Sequence, residues 1–324
     1  MIKKIETSKI VSPKNQLELF GYQNYFTSFV NLYKKNKLPN TMLLSGPKGL
    51  GKATFAYHFI NHILSSNEIN KYSIDNMTIN PHCLSYKSLL NNTNPNFSLL
   101  ENDMVGENIK IDKVRDMLKF LSKSTYSSDI KIILIDNAEY LNIHSSNALL
   151  KVLEEANNRT YFFIIHNSHS NILDTIKSRC IEFKFFFTIS EKEKILKNII
   201  KPYDDVFDLK NIDSNFYFDT PGNILRYLLI FKDTNLSFSN DKLECILYII
   251  DKYKNKSDAK LLTTISLFIE LFYKDLSMRN SKNSNIYSIN KYKLIRQIHD
   301  TKKFNLDKNN LFTSLISTLQ HESK

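Results

Sequence analysis

The sequence predicts an α/β domain built on a parallel sheet, continued by an all-α second half, and three observations lead to that reading. Between residues 13 and 185, helical spacing of apolar residues alternates with short β-branched or aromatic runs. These are Thr41-Met-Leu-Leu-Ser45, Lys131-Ile-Ile-Leu-Ile135 and Tyr161-Phe-Phe-Ile-Ile165, and they read as central strands. A glycine-rich stretch joins the first run to a helix with Phe55, Ala56, Phe59, Ile60, Ile63 and Leu64 on one face. After Phe187 no comparable run appears, and residues 190–200, 221–231, 242–254, 259–276, 286–299 and 310–319 carry helical periodicity between Asn-, Ser- and Lys-rich joints. Residues 65–96, rich in Asn and Ser, read as a loop-rich excursion between sheet elements, and 181–185 as a further strand.

At 324 residues the chain exceeds ordinary single-domain size, and its 42% apolar content is enough to bury more than one core. Its apolar runs are strand-length, far short of the roughly 20 residues that span a bilayer. Met1-Ile-Lys-Lys-Ile-Glu-Thr7 lacks the apolar stretch of a secretory signal, so the expectation is a cytoplasmic protein with no membrane contact. Cys83, Cys180 and Cys245 are too few for a disulfide framework or a four-thiolate zinc site, and His82 with Cys83 has no second ligand pair at finger spacing, so no metal is expected. The net charge of +11 suits a polyanionic partner through counterion release, but lysine is scattered along the chain and a solubilising surface accounts for it equally well.

Gly46-Pro47-Lys48-Gly49-Leu50-Gly51-Lys52-Ala53-Thr54 follows a strand and opens a helix, the context of a phosphate-binding loop. Glycines let backbone N–H groups turn inward around phosphate, the helix N-terminus adds its dipole, and Lys52 reaches the terminal phosphates. The last position of the pattern calls for a Ser or Thr hydroxyl on Mg²⁺, and Ala53 has none. Thr54 lies about 100° further round the helix. The run Ile132-Ile-Leu-Ile-Asp136 supplies one carboxylate of a nucleotide site, but the next residue is Asn137, whose amide cannot act as a general base. Glu139, two positions on, is expected to leave the strand end in another direction, as a solvated loop or helix-start carboxylate. Asn167 ends the third run, where a polar side chain either senses a terminal phosphate or caps the strand exit. The loop's surviving backbone leaves weak ATP or ADP binding, with Mg²⁺ held weakly or not at all and no cofactor required.

Ser145-Ser-Asn147-Ala-Leu-Leu-Lys151-Val-Leu-Glu154-Glu155 and Ile172-Leu-Asp-Thr-Ile-Lys-Ser178-Arg179-Cys180, at this mutual spacing, resemble two motifs of the clamp-loader branch of the AAA+ proteins. Ile111-Asp-Lys-Val-Arg-Asp-Met117 and Leu38-Pro-Asn40 are similar to segments flanking that family's loop, and the resemblance covers residues 13–185. It implies an AAA+ P-loop domain with a parallel sheet (1–187), a small helical lid (188–240) and an all-α collar (241–324). The segment Asn305-Leu-Asp-Lys308 with its flanking helices is similar to the family's collar. Hydrolysing members carry a complete loop, Asp-Glu after the second run and a four-cysteine zinc module, and this chain departs at all three. A lid arginine is also missing: Thr220-Pro-Gly222-Asn223 sets Gly222 at its place, with Arg226 one turn on.

Within the family the chain therefore resembles the non-motor, delta-prime kind. That resemblance implies a stator-like role in loading the sliding clamp onto primed DNA, in a ring with delta and gamma/tau subunits, and makes Arg179 an arginine finger toward a neighbour's ATP. Read without it, Arg179 is a surface salt-bridge residue, and 145–155 a core helix with a charged outer face. Two alternatives remain, a gamma/tau-like motor in which Thr54 and Glu139 replace the missing groups, and a free-standing P-loop kinase or nucleotide-metabolising enzyme. The all-α second half and the Ser178-Arg179-Cys180 motif oppose the latter.

Overall fold

The computed structural model describes residues 10–102, 108–122, 130–155, 159–203, 219–234, 241–255, 259–304 and 306–322; Asn305 and the stretch Met1 to Thr7 lie outside them. The chain forms two compact units, residues 1–229 and 230–324. The first holds a five-stranded, all-parallel sheet in the order β2-β3-β4-β1-β5. Its strands are β1 (Thr41–Gly46), β2 (Phe97–Leu100), β3 (Lys131–Ile135), β4 (Thr160–Asn167) and β5 (Ile181–Lys184).

The central strands are apolar on both sides because both faces of the sheet are covered. Met42 and Leu44, Ile132 and Leu134, and Tyr161, Phe163 and Ile165 face one core, into which α1 (Gln23–Lys34) and α2 (Lys52–Leu64) set Phe26, Phe29, Phe55 and Phe59. The alternate residues Leu43, Ile133, Ile135, Phe162 and Ile164 face a second core with Val114 and Met117 of α4 (Ile111–Ser122) and Leu149 and Leu153 of α5 (Ile143–Glu154). This strict two-residue alternation is the period of a pleated strand.

The Asn- and Ser-rich excursion is a folded part of the first core. Tyr72, Met77, Ile79, Cys83, Tyr86 and Leu89 are buried there, and the stretch includes a short helix, α3 (Leu84–Leu90). Cys83 caps that helix, its Sγ accepting the Tyr86 N–H at 3.4 Å, while Glu68 accepts the N–H groups of Leu84 and Ser85 at 2.7 and 2.9 Å. Short α6 (Asp174–Lys177) buries Ile176 in the second core. A capping box between Thr188 and Glu191 opens α7 (Ile189–Ile200), which returns Ile195 to the first core. The unit's last element is the start of α8 (Pro221–Thr234).

The second unit is all-α among its described residues: α9 (Lys242–Asn255), α10 (Ala259–Arg279), α11 (Ser284–Phe304) and α12 (Lys308–Glu322) pack around Ile246, Ile249, Phe268, Phe272, Leu294, Leu315 and Leu319. On α11, Ile286, Ile289 and Tyr292 recur every third residue and stay 56–64% exposed, an apolar stripe left uncovered among the described residues of the unit. No helix among the described residues is long and apolar enough to cross a membrane.

His58 of α2 is wholly buried between two partners. Its Nε2 lies 2.9 Å from the Gln16 carbonyl, which can only accept, so Nε2 carries the proton and Nδ1 accepts from the Tyr72 hydroxyl at 3.0 Å. Burial pushes its pKa from 6.5 down to about 4. Between those values the unfolded chain binds the extra proton, so stability is complete above pH 6.5 and falls as pH drops toward 4, by roughly 3 kcal/mol across the window. Denaturant midpoints at pH 7.5 and 5 should show about 2 kcal/mol of this loss, and His58→Gln, which cannot titrate, should flatten it.

Candidate functional site

Because β3, β4 and β1 are parallel neighbours, their C-terminal ends lie along one edge of the sheet, the usual ligand edge of such sheets. Gly46 pairs in register with Asn167, and the loop 46–52 rises from that point into α2. Gly49 and Gly51 hold φ of 83° and 94°, the left-handed conformation that side-chain-bearing residues avoid.

The carbonyls of this loop are all engaged. Gly46 O accepts from the Ser168 N–H at 3.1 Å and from Lys52 Nζ at 2.6 Å, and Pro47 O from Lys52 Nζ at 2.8 Å. Thr220 Oγ1 donates to Lys48 O at 2.8 Å, the Gly222 N–H to Gly49 O at 3.0 Å, the Tyr22 hydroxyl to Leu50 O at 3.1 Å and the Phe55 N–H to Gly51 O at 2.9 Å. A trans peptide carries its N–H opposite its C=O, so the N–H groups of Gly49, Leu50 and Gly51 turn away from those partners. Such a run of inward amides is an anion-binding nest. Tyr22 is 2% exposed and packs against Tyr25, Phe55, Phe185 and Phe187, an aromatic floor that fixes the loop from below.

Charges at the same edge are coupled. Burial lowers the Lys52 pKa to about 8, against the opposing pull of Glu139 first and Asp136 second. Asp136, directly after β3, is raised to about 6 by burial, with the charges of Glu101 and Glu139 adding and Lys52 and the Asn137 N–H opposing. Of the two expectations for Glu139, the structure keeps the helix start, a 3-10 turn over Ala138–Tyr140, and corrects the solvated loop. Asn137 takes the left-handed conformation (φ 58°, ψ 56°), the chain reverses through a single 3-10 turn, and the Glu139 carboxylate accepts the Asn167 N–H at 3.2 Å. It is therefore a half-buried member of the site rather than a solvated loop residue, and an αL-tolerant Asn two residues before it is the one sequence signal of that reversal.

The Asn167 side chain turns to its own loop, accepting the His169 N–H at 3.3 Å and donating to Ser170 Oγ at 3.1 Å. Ala53 packs its methyl against the first core, and Thr54 is half-buried beside it on α2. Gly222 sits against the loop, where a Cβ would come within 2.6 Å of Gly49 O. Cys180 is half-buried, and burial pushes its thiol up to about 12, which rules out a thiolate at neutral pH.

Arg179 lies at the other edge. Its carbonyl accepts from Thr41 Oγ1 at 2.6 Å, so it stands where β1 begins, while the loop leaves where β1 ends. Five strand steps separate the two levels, about 17 Å at roughly 3.3 Å per residue. The guanidinium forms an ion pair with Glu154, the last residue of α5, with Nε donating at 2.7 Å and Nη2 to the same oxygen, and Nη1 donates to the Thr175 carbonyl at 2.8 Å. Three of its five N–H groups are thus in use. Lys151 and Glu154 of α5 and Glu155 at its end are exposed, as is Asn147, while Leu149 and Leu153 are buried.

The chain matches, over residues 21–187, the family profile described as DNA polymerase III, delta subunit. Among similar proteins, the DNA polymerase III subunit delta′ of Pseudomonas aeruginosa is 32% identical over 43% of this chain and 41% of its own length. The DNA polymerase III subunit gamma/tau of Mycoplasma genitalium is 30% identical over 58% of this chain and 30% of its own length. Each match thus spans less than half of the relative concerned. A DNA polymerase III gamma subunit-related protein of Thermotoga maritima superposes with a TM-score of 0.45 at 15% identity, over 91% of this chain and 99% of that one. The profile covers just over half of the sequence, including the loop, the Asp136 strand and the Arg179 motif, and the chain belongs to the DNA polymerase III delta-subunit family, a clamp-loader branch of the AAA+ proteins.

Proposed function

We propose that this chain is a non-motor, stator-like subunit of a bacterial clamp loader, which helps load the sliding clamp onto primed DNA and lends Arg179 to a neighbouring ATPase subunit. One observation carries the reading: the loop and Arg179 stand at opposite edges of the same sheet. Arg179 cannot reach a phosphate in its own loop, so a phosphate it neutralises belongs to another chain. The loop itself lacks the Mg²⁺ hydroxyl at Ala53 and the catalytic carboxylate at Asn137. The partners are delta and gamma/tau subunits in a ring, with the clamp and primer–template DNA reached through that ring. Any ATP or ADP taken by the loop is bound weakly, without dependence on Mg²⁺, and no zinc or other metal is needed.

A second reading, a motor subunit, has one observation in its favour, the half-buried Glu139 beside Lys52. Steady-state turnover separates the two. The purified chain should hydrolyse ATP at background rate with or without Lys52→Ala; a turnover lost in both Lys52→Ala and Glu139→Gln would favour the motor and make Glu139 its base.

The exposed stripe Ile286, Ile289 and Tyr292 on α11 is the surface by which the all-α unit joins its neighbours in the ring. Ile289→Glu should weaken co-assembly with delta and gamma/tau subunits in gel filtration, while the thermal midpoint of the chain alone stays within about 2 °C, as for an exposed substitution.

The finger is tested in the reconstituted complex. Arg179→Ala should cut clamp- and DNA-stimulated ATP turnover by roughly 10³-fold or more, the scale of arginine fingers. Its exposed ion pair with Glu154 limits the stability cost to about 1 kcal/mol or less. Arg179→Lys should rescue little, since an ammonium lacks the planar fork. Equal turnover by all three complexes at equal assembly would return Arg179 to the role of a surface ion-pair residue.

A further inference from the structure

The first turn of α8 is joined to the phosphate loop by contacts that no sequence motif of either segment requires. Asp219 organises the turn, accepting from the Thr220 N–H at 2.6 Å, from Asn223 Nδ2 at 3.0 Å and from the Tyr227 hydroxyl at 2.9 Å. Thus oriented, Thr220 Oγ1 and Asn223 Nδ2 converge on Lys48 O at 2.8 and 3.4 Å, and the Gly222 N–H takes Gly49 O. Thr220 is 3% exposed, so the contact is shielded from water. The approach is backbone to backbone. A Cβ on Gly222 would lie 2.6 Å from Gly49 O, and a Cβ on Gly49 would fall on Thr220 Oγ1.

We infer that the turn Asp219 to Asn223 is a latch that sets the loop's phosphate-binding conformation: by holding the carbonyls of Lys48 and Gly49 outward, it points the following amides inward. The two carbonyls it grips belong to the peptides whose N–H groups are those of Gly49 and Leu50, so each latch hydrogen bond fixes the direction of one cradle donor. In a loop with left-handed glycines at 49 and 51, those peptides have few other restraints. Latch and ligand are then linked: an anion that requires inward amides favours the docked turn, and undocking the turn weakens the anion by the same factor. Gly222 is a positioning residue in this scheme. It touches no phosphate, and its lack of a side chain is what allows the grip.

The inference rests on the loop being an anion cradle and is independent of Arg179. The test uses the full chain with ADP as the probe, in EDTA, by titration calorimetry and by hydrogen exchange of the Gly222 amide. The wild-type chain should bind ADP, and binding should slow exchange at Gly222. Gly222→Ala, whose methyl must push Gly49 away, should weaken ADP by about tenfold or more, and Thr220→Val, which keeps the shape and removes one donor, by a few-fold, the scale of single hydrogen bonds. Thermal midpoints of the ligand-free variants accompany the titrations, since a merely structural turn would lower the midpoint without uncoupling ADP from Gly222 exchange. Wild-type affinity in both variants, or ADP binding that leaves Gly222 exchange unchanged, overturns the latch. A wild-type chain that takes no ADP overturns it as well, and leaves the Arg179 reading to its own test in the complex.

Discussion

Everything at the site follows from one constraint, the parallel register of β1 against β4. With Gly46 opposite Asn167, the phosphate loop starts level with the loop that leaves β4, and the Ser168 N–H takes the Gly46 carbonyl. Pairing of β4 with β3 then brings Asp136 to the same edge, and the reversal at Asn137 carries Glu139 across to the Asn167 amide. A slip of one residue in either ladder would exchange the two sheet faces and turn Leu43 and Phe162 out of their core. The register is held by burial on both sides, not by any residue of the site.

The site is an unbalanced electrostatic system. Glu101 and Glu139 both act on the buried Asp136, while Glu139 and Asp136 act on a poorly solvated Lys52 that Lys48 also opposes. A carboxyl group raised to about 6 takes up its proton closer to neutrality than an ordinary aspartate.

What was legible in the sequence was local. The strand runs 41–45, 131–135 and 161–165 are legible because both-face burial leaves uninterrupted β-branched and aromatic stretches, at most three residues short of the strands observed, and the helices after residue 187 because their apolar spacing is regular. Strand β2 was missed: it is four residues long, lies at the sheet edge, and follows an Asn-rich stretch without alternation. The fold of 65–96 was missed for a related reason, its buried Tyr72, Met77, Cys83 and Tyr86 being spaced by turns rather than by either period. At the site, the loop and Asp136 were legible from motif chemistry, whereas the Thr220 contact joins residues 172 positions apart and no pattern within a window reveals it. For Glu139 the helix start was legible and the half-buried position was not, because it depends on a single left-handed Asn that turns the chain back toward Asn167.

The opposite placement of Arg179 and the phosphate loop gives the sheet a polarity. A surface that offers a guanidinium at one edge and a cradle at the other is not its own complement, so a two-fold dimer, in which the same patch meets itself, cannot use both. Subunits joined through these edges follow one another head to tail, each contact of the same sense, and the series either closes on itself or ends. Under the function proposed above, a member that lends its guanidinium edge and hydrolyses nothing at its cradle edge is asymmetric in such a series: it serves the neighbour on one side and asks little of the neighbour on the other, and the place that suits it is a terminus.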